Sequence, residues 1–186
     1  VSNPRFSYGG GKILWELMAM NYGRDWFNRV VVFRPHNVYG PDMGWEHVIP
    51  DLAVKAAREL LQSETDQPLN LEILGDGQQT RAFVHINDFI DGLMLVINKG
   101  VDREIYHIGK DEEISISELA NLVVESLGRD ARISTSSAPE GETNRRCPDI
   151  SKLRALGYNP AINLSQGLPS VVRWYNDNLH ILDSGK

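Results

Sequence analysis

Polar and apolar positions alternate along this chain in two distinct rhythms. Between residues 8 and 22, Ile13, Leu14, Leu17, Met18 and Met20 recur at helical spacing, with Trp15 on the opposite side. A helix that is apolar all round expects cover on two faces. "RVVVFRP" (29–35) is a continuous apolar run, the pattern of a strand covered on both faces in a parallel sheet. "NVYGPDMG" (37–44) reads as a loop, and "IPDLAVKAARELLQ" (49–62) as a helix with Pro50 in its first turn. Two short strands, 71–74 and 81–86, flank the turn "GDGQQT". "NDFIDGLMLVINKG" (87–100) predicts a helix capped by Asn87 or Asp88 and ended by Gly100. A strand at 104–109 precedes a helix from Ser115 whose Glu118 completes a capping box. "ARISTS" (131–136) predicts a last strand, and 136–147 is polar and irregular. A short helix (149–157) and the amphipathic helix "SQGLPSVVRWYNDN" (165–178) close the chain. Strand and helix alternate, so the fold class is α/β.

The 186 residues suit one domain or a domain and a half, and 41% hydrophobic with 24% charged residues is an ordinary globular balance. A formal net charge of −6 argues against a non-specific nucleic-acid or membrane-surface binder, so an anionic ligand must be met by a few local arginines. The single cysteine, Cys147, excludes an internal disulfide and a thiolate metal cluster and suits a reducing cytoplasm. No signal peptide is visible, and no apolar run reaches the roughly 20 residues of a spanning helix. Val1 at the start implies a processed product or a piece of a longer chain.

Three segments could carry chemistry. Tyr8 and Lys12 are four apart on a helix and share a face. An ammonium beside a phenol favours the phenolate and makes the tyrosine a usable acid/base. Gly9, Gly10 and Gly11 between them weaken the first turn by roughly 1 kcal/mol each relative to alanine. A flat ligand could lie against that turn only because those side chains are missing; taken alone the Y-x-x-x-K spacing is a weak signal, and a surface Tyr–Lys pair on a frayed helix start is the plainer reading. "RPHNVYGP" follows a buried strand, at the rim where open parallel sheets place ligands. Asn37 there either contacts a ligand or caps its own backbone. In "GDGQQTRAFVHINDF", Arg81 suits bidentate phosphate binding, whereas His85 and Asp88 read as structural groups. Gly75 and Gly77 mimic a dinucleotide fingerprint, but the third glycine is absent and a strand follows. His36, His47, His85 and His107 have no ligand-like helical spacing, which disfavours a metal hydrolase.

These segments, in this order, resemble the extended short-chain dehydrogenase/reductases, in their nucleotide-sugar epimerase/dehydratase branch (UDP-glucose 4-epimerase-like). The resemblance runs from about Asn3 to Asn178 on "NPRFSYGGGK", "RPHNVYGPDMG", "GDGQQTRAFVHINDF" and "RRCPDISKLRALGYNP". It implies the C-terminal part of a Rossmann-type parallel sheet plus the smaller α/β substrate-binding domain. Residues 1–44 would be a remnant of the dinucleotide-binding domain, 45–186 mainly the substrate domain, with 81–100 returning to the Rossmann part. It implies Tyr8 as acid/base at the sugar hydroxyl and Lys12 on the nicotinamide ribose, with Pro35 and His36 near the nicotinamide amide. Asn37 would bind the sugar diphosphate, Arg81 the diphosphate or ribose, and Arg145 or Arg146 would assist. His47, Val48 and Leu74 fall where the family lines its base pocket.

The family's βαβ unit with GxxGxxG, its acidic ribose-binding residue and its catalytic Ser or Thr are not in these residues. The resemblance therefore implies an NAD-dependent nucleotide-sugar epimerase, acting through a transient 4-keto sugar, here as a part inactive on its own. A 4,6-dehydratase or decarboxylase, or a non-catalytic nucleotide-sugar-binding or scaffold module, are the alternatives. NAD and NADP are indistinguishable without the missing acidic or basic residue. The expected partners are a nucleotide-diphosphate sugar and a second copy docked through the Tyr8–Lys12 helix, with no nucleic acid, membrane or metal.

Overall fold

The computed structural model describes residues 4–64, 66–137 and 143–184; the side chains of residues 4–6, 8, 183 and 184 lie outside that description. Helix α1 (Pro4–Trp26) is longer than its apolar pattern predicts. Its Ile13, Leu14, Trp15, Leu17 and Met18 are exposed, Trp15 at 74%. The expected burial on two faces is therefore absent: no described element of the chain covers this helix. A bidentate contact ties it to β1: Arg34 Nε and Nη2 donate to the Glu16 carboxylate at 2.8 and 2.6 Å.

Strand β1 (Val32–Pro35) pairs in parallel with β6 (Ile105–Ile108), Arg34 opposite His107 and Pro35 opposite Ile108. This strand is shorter than "RVVVFRP" suggests, and Phe33 remains 42% exposed, because β6 is its only strand neighbour among the described residues. The segment read as a loop after it contains β2 (Val38–Tyr39), which pairs with β5 (Val84–His85). The expected strand 81–86 is broken at Phe83 into β4 (Thr80–Ala82) and β5. Asn37 makes the break: its backbone carbonyl accepts from Val84 N at 3.2 Å and its Nδ2 donates to Ala82 O at 2.8 Å.

Helix α2 (Val48–Gln62) buries Ile49, Leu52, Ala53, Ala56 and Ala57 as one stripe. Strand β3 (Leu69–Leu74) alternates strictly, with Leu69, Leu71 and Ile73 buried and Leu74 exposed. It runs parallel to β8 (Ala131–Ser136) and not against β4, although one short turn connects them. Helix α3 (Ile86–Lys99) starts one residue earlier than expected. Its N-cap is His85, whose Nδ1 accepts from Asn87 N at 3.3 Å; neither Asn87 nor Asp88 caps it. Gly100 terminates it, as read.

The capping box of α4 (Ile116–Glu125) is formed by Ser115 and Glu118. Two strands carry no sequence signal: β7 (Glu113–Ser115), antiparallel to β4, and β9 (Arg145–Arg146), parallel to it. Helices α5 (Ser151–Arg154) and α6 (Leu164–Asp177) follow, and α7 (Leu179–Ser184), not α6, comes last.

Two hydrophobic cores result. The larger joins α2, β3, α4 and α6 through residues such as Leu52, Leu71, Leu119 and Leu168. The second joins α3, β6 and α5 through Val96, Tyr106, Ile108 and Leu153, with Val31 packed against it. Asp88, at the start of α3, binds the chain ahead of α6: its two carboxylate oxygens accept from Ala161 N and Ile162 N at 3.1 and 2.9 Å.

Candidate functional site

The β4 ladder organises the site. Register pairs place Arg81 opposite Arg146 and Thr80 opposite Arg145, and paired residues of a ladder share a face. The two consecutive arginines of β9 therefore point to opposite faces. Arg145 donates from Nε and Nη2 to Glu113 at 2.5 to 3.0 Å, and Thr80 Oγ1 donates to the same carboxylate at 2.7 Å. These contacts, Arg145 first, hold the Glu113 carboxyl below its usual range. Arg146 stands on the other face with Arg81. The Arg81 guanidinium is buried, and its Nη1 donates to Thr80 O at 2.8 Å and Asn144 O at 3.4 Å.

A cleft of about 350 Å³ opens beside Arg81. His47 and Val48 enter it from the start of α2, Leu74 from the end of β3 and Ile116 from the start of α4, with Glu46 and Asp51 at the rim. The His47 ring makes no cap hydrogen bond to α2, so it is not taken up by the helix end. A second cleft, about 450 Å³, is lined by Pro35, His36, Asn37, Arg145, Arg146 and Cys147. Asn37 holds a φ of 40°, a left-handed conformation that asparagine tolerates better than most side chains. Every sequence-nominated substrate residue thus lies on one of these two clefts, Arg81 on the first and both Arg145 and Arg146 on the second.

His36 and His107 approach closely, His36 Nε2 to His107 Nδ1 at 2.6 Å. Burial pushes both imidazoles below the ordinary histidine range, with the other ring next for His36 and the Arg34 charge next for His107. Burial likewise lowers His85 and raises the Cys147 thiol. A further cleft of about 590 Å³ lies among Phe83, Lys110, Glu113, Asn121 and Leu164. No group of three or more His, Cys, Asp or Glu among the described residues could hold a metal ion.

Lys12 is an exposed residue of α1, and the Tyr8 side chain lies outside the described residues, so their mutual geometry stays an expectation. A Cβ built on Gly9, Gly10 or Gly11 would meet nothing within 4 Å. Packing among the described residues therefore does not demand these glycines; they leave most of one helical turn before Lys12 bare. Sequence reasoning missed Asp51, Ile116 and Cys147 as lining residues. Asp51 had a signal, four residues after His47 on the same helix face; Ile116 and Cys147 arrive only through the β7–β4–β9 pairings.

Comparison with known proteins places the chain among nucleotide-sugar-modifying enzymes. The chain is 32% identical over 177 residues to the dTDP-glucose 4,6-dehydratase of Actinoplanes sp., covering 94% of this chain and 52% of that protein. It is 31% identical over 179 residues to UDP-glucuronic acid decarboxylase 1 of Xenopus tropicalis, covering 95% of this chain and 40% of that one. It superposes on a UDP-glucose 4-epimerase of Thermotoga maritima, solved with UDP-glucose, with a TM-score of 0.79 and 25% identity over 92% of this chain and 54% of that one. The chain thus spans about half the length of the curated relatives it matches. No helix among the described residues is long and apolar enough to cross a membrane. With the two arginine-bordered clefts in place and the model of the NAD dependent epimerase/dehydratase family matching residues 1–109, the chain belongs to that family of Rossmann-type extended short-chain dehydrogenases.

Proposed function

We propose that this chain forms the nucleotide-sugar side of an NAD-dependent enzyme that epimerises a UDP-type sugar at C4 through a transient 4-keto sugar. The observation that carries the reading is the β4–β9 ladder, which sets Arg81 on one cleft and Arg145 and Arg146 on the other. The nucleoside lies against His47, Val48 and Leu74. The two guanidiniums take the diphosphate, since planar forks bind phosphate oxygens in pairs. Asn37 reaches the diphosphate from the rim of β1. Arg145, bound to Glu113, braces the ladder and leaves Arg146 for the ligand.

On the other side of the sugar, Tyr8 removes the proton from the hydroxyl being oxidised. Lys12, one turn on, stabilises the tyrosine's charged form and holds the nicotinamide ribose. The bare turn at Gly9–Gly11 and the strand end Pro35–His36 suit the nicotinamide end of NAD, which when bound would accept and return the sugar's hydride. Residues suited to its adenosine end are not in this sequence, so binding of NAD by these residues alone is weak and turnover by them alone is nil. The domain division follows the same reading, 1–44 and 81–100 belonging to the cofactor side and the rest of 45–186 mainly to the sugar side.

The relatives' printed names include a dehydratase and a decarboxylase, so elimination or decarboxylation at the 4-keto stage is the second reading. Calorimetric titration of UDP-glucose tests the binding claim. Arg81→Ala and Arg146→Ala each weaken binding by roughly 10- to 100-fold, the worth of a charged hydrogen-bonding group, while Arg145→Ala weakens it less. Equal affinity in all three variants and the parent chain contradicts the assignment.

A further inference from the structure

His36 and His107 stand at the ends of β1 and β6, the one strand pair that ties the Pro35–Asn37 rim to the second core. His36 N donates to Ile108 O at 3.0 Å, continuing the β1–β6 ladder by one residue. The next residue, Gly109, has no room for a side chain. A Cβ there would sit 2.9 Å from Pro148 Cγ and 3.0 Å from His36 Cβ. The His36 ring is thus wedged between the two strand ends, with its Nε2 facing His107 Nδ1 at 2.6 Å and ring centroids 4.8 Å apart.

A contact that short between two ring nitrogens admits one hydrogen, donated by one ring and accepted by the other. Adding a proton to the pair keeps the bond, because an imidazolium still donates to its neutral neighbour. Adding a second puts a hydrogen on both facing nitrogens and two like charges against each other. The surrounding charges do not offset that repulsion. Arg34 and Lys152 oppose further positive charge at His107, Asp149 and Glu16 favour it, and Glu16 is already paired with Arg34. Across the second cleft His36 faces Arg145, Arg146 and Cys147, adding no anion.

We propose that His107 is a positioning residue for the sugar-diphosphate cleft: its shared-proton hydrogen bond fixes the His36 ring, and through it the conformation of Pro35–His36–Asn37. Asn37, at a φ of 40°, is anchored on one side to Ala82 O and Val84 N, and on the other follows directly from the His36 ring that His107 fixes. This inference rests on the reading of that cleft as a nucleotide-sugar site, so its test has two independent readouts.

The first is proton uptake by the full chain, followed through the imidazole resonances of His36 and His107. Between about pH 7.5 and pH 5, where isolated histidines charge fully, the pair takes up one proton, and in His107→Asn the lone His36 titrates as a single site. Two protons taken up by the pair over that range overturn the shared bond. The second readout is UDP-glucose affinity at neutral pH. His107→Ala weakens it several-fold, and His107→Asn, which keeps a hydrogen-bonding group, restores most of it, with thermal midpoints recorded to exclude unfolding. Affinity unchanged in His107→Ala overturns the positioning role. Failure of the parent chain to bind any UDP-glucose sinks the nucleotide-sugar reading instead, and the proton count still decides the shared bond.

Discussion

Gly167 of α6 marks the tightest point of the larger core. A Cβ there would lie 2.3 Å from Tyr39 Oη, and Tyr39 is fully buried. Gly167→Ala forces Tyr39 off its position, and overpacking of this kind costs about 1–3 kcal/mol; a drop in the thermal midpoint measures it. Tyr39 Oη has no hydrogen-bond partner among the described residues. Tyr39→Phe removes a buried, unsatisfied hydroxyl and is accordingly neutral or stabilising, which the same melt would show. Burial lowers His36, His85 and His107, so the folded form refuses protons that the unfolded chain accepts. Stability is then complete above the ordinary histidine value of about 6.5 and falls as pH drops below it towards the folded values. Thermal midpoints between about pH 7.5 and pH 5.5 check that sign; a midpoint that rises in acid contradicts it.

At the scale of elements, α1 is the outlier. Its apolar side chains face outward, and the glycines in its first turns meet nothing. Gly9→Ala, Gly10→Ala and Gly11→Ala together should raise helicity in the isolated chain, by roughly 1 kcal/mol of helix stability per site, with no steric penalty. Circular dichroism reads the gain. The same variant in an enzyme that includes the cofactor-binding half should lose NAD affinity, because the added methyl groups fill the bare turn proposed for the nicotinamide. A face carrying Ile13, Leu14, Leu17 and Met18 in water also favours association with a second copy. Sedimentation should show dimers or larger species that Leu14→Glu with Leu17→Glu disperses; a compact monomer at all concentrations contradicts this.

The contrast between α1 and α2 explains what could be read from sequence. Helices α2, α4 and α6 bury one stripe each within this chain, so their 3.6-residue pattern and, for α4, the Ser115–Glu118 box were legible. Strands β7 and β9 are three and two residues long, and their place depends on β4, more than 30 residues away for β7 and more than 60 for β9. No local pattern reports such pairing. For the same reason Arg145 and Arg146 were inseparable in sequence, and only the ladder register distinguishes the one bound to Glu113 from the one beside Arg81.

At the scale of the whole molecule, two cores frame two arginine-bordered clefts, which on the proposed reading receive one side of a nucleotide-sugar reaction. The site segments 35–37, 47–48, 74, 81 and 145–146 reach these clefts from five separate parts of the chain. The same molecule should release no 4-keto or C4-inverted sugar from UDP-glucose and NAD when assayed alone; measurable turnover would show that α1 and the bare turn before Lys12 suffice to hold the cofactor. The most direct measurement is a map of backbone amide shifts on adding UDP-glucose to the full chain. Changes are expected at His36, Asn37, His47, Val48, Leu74, Arg81 and Arg146, with Lys110, Asn121 and Ser165 of the 590 Å³ cleft silent. Changes centred on that 590 Å³ cleft, or none anywhere, would contradict the nucleotide-sugar assignment.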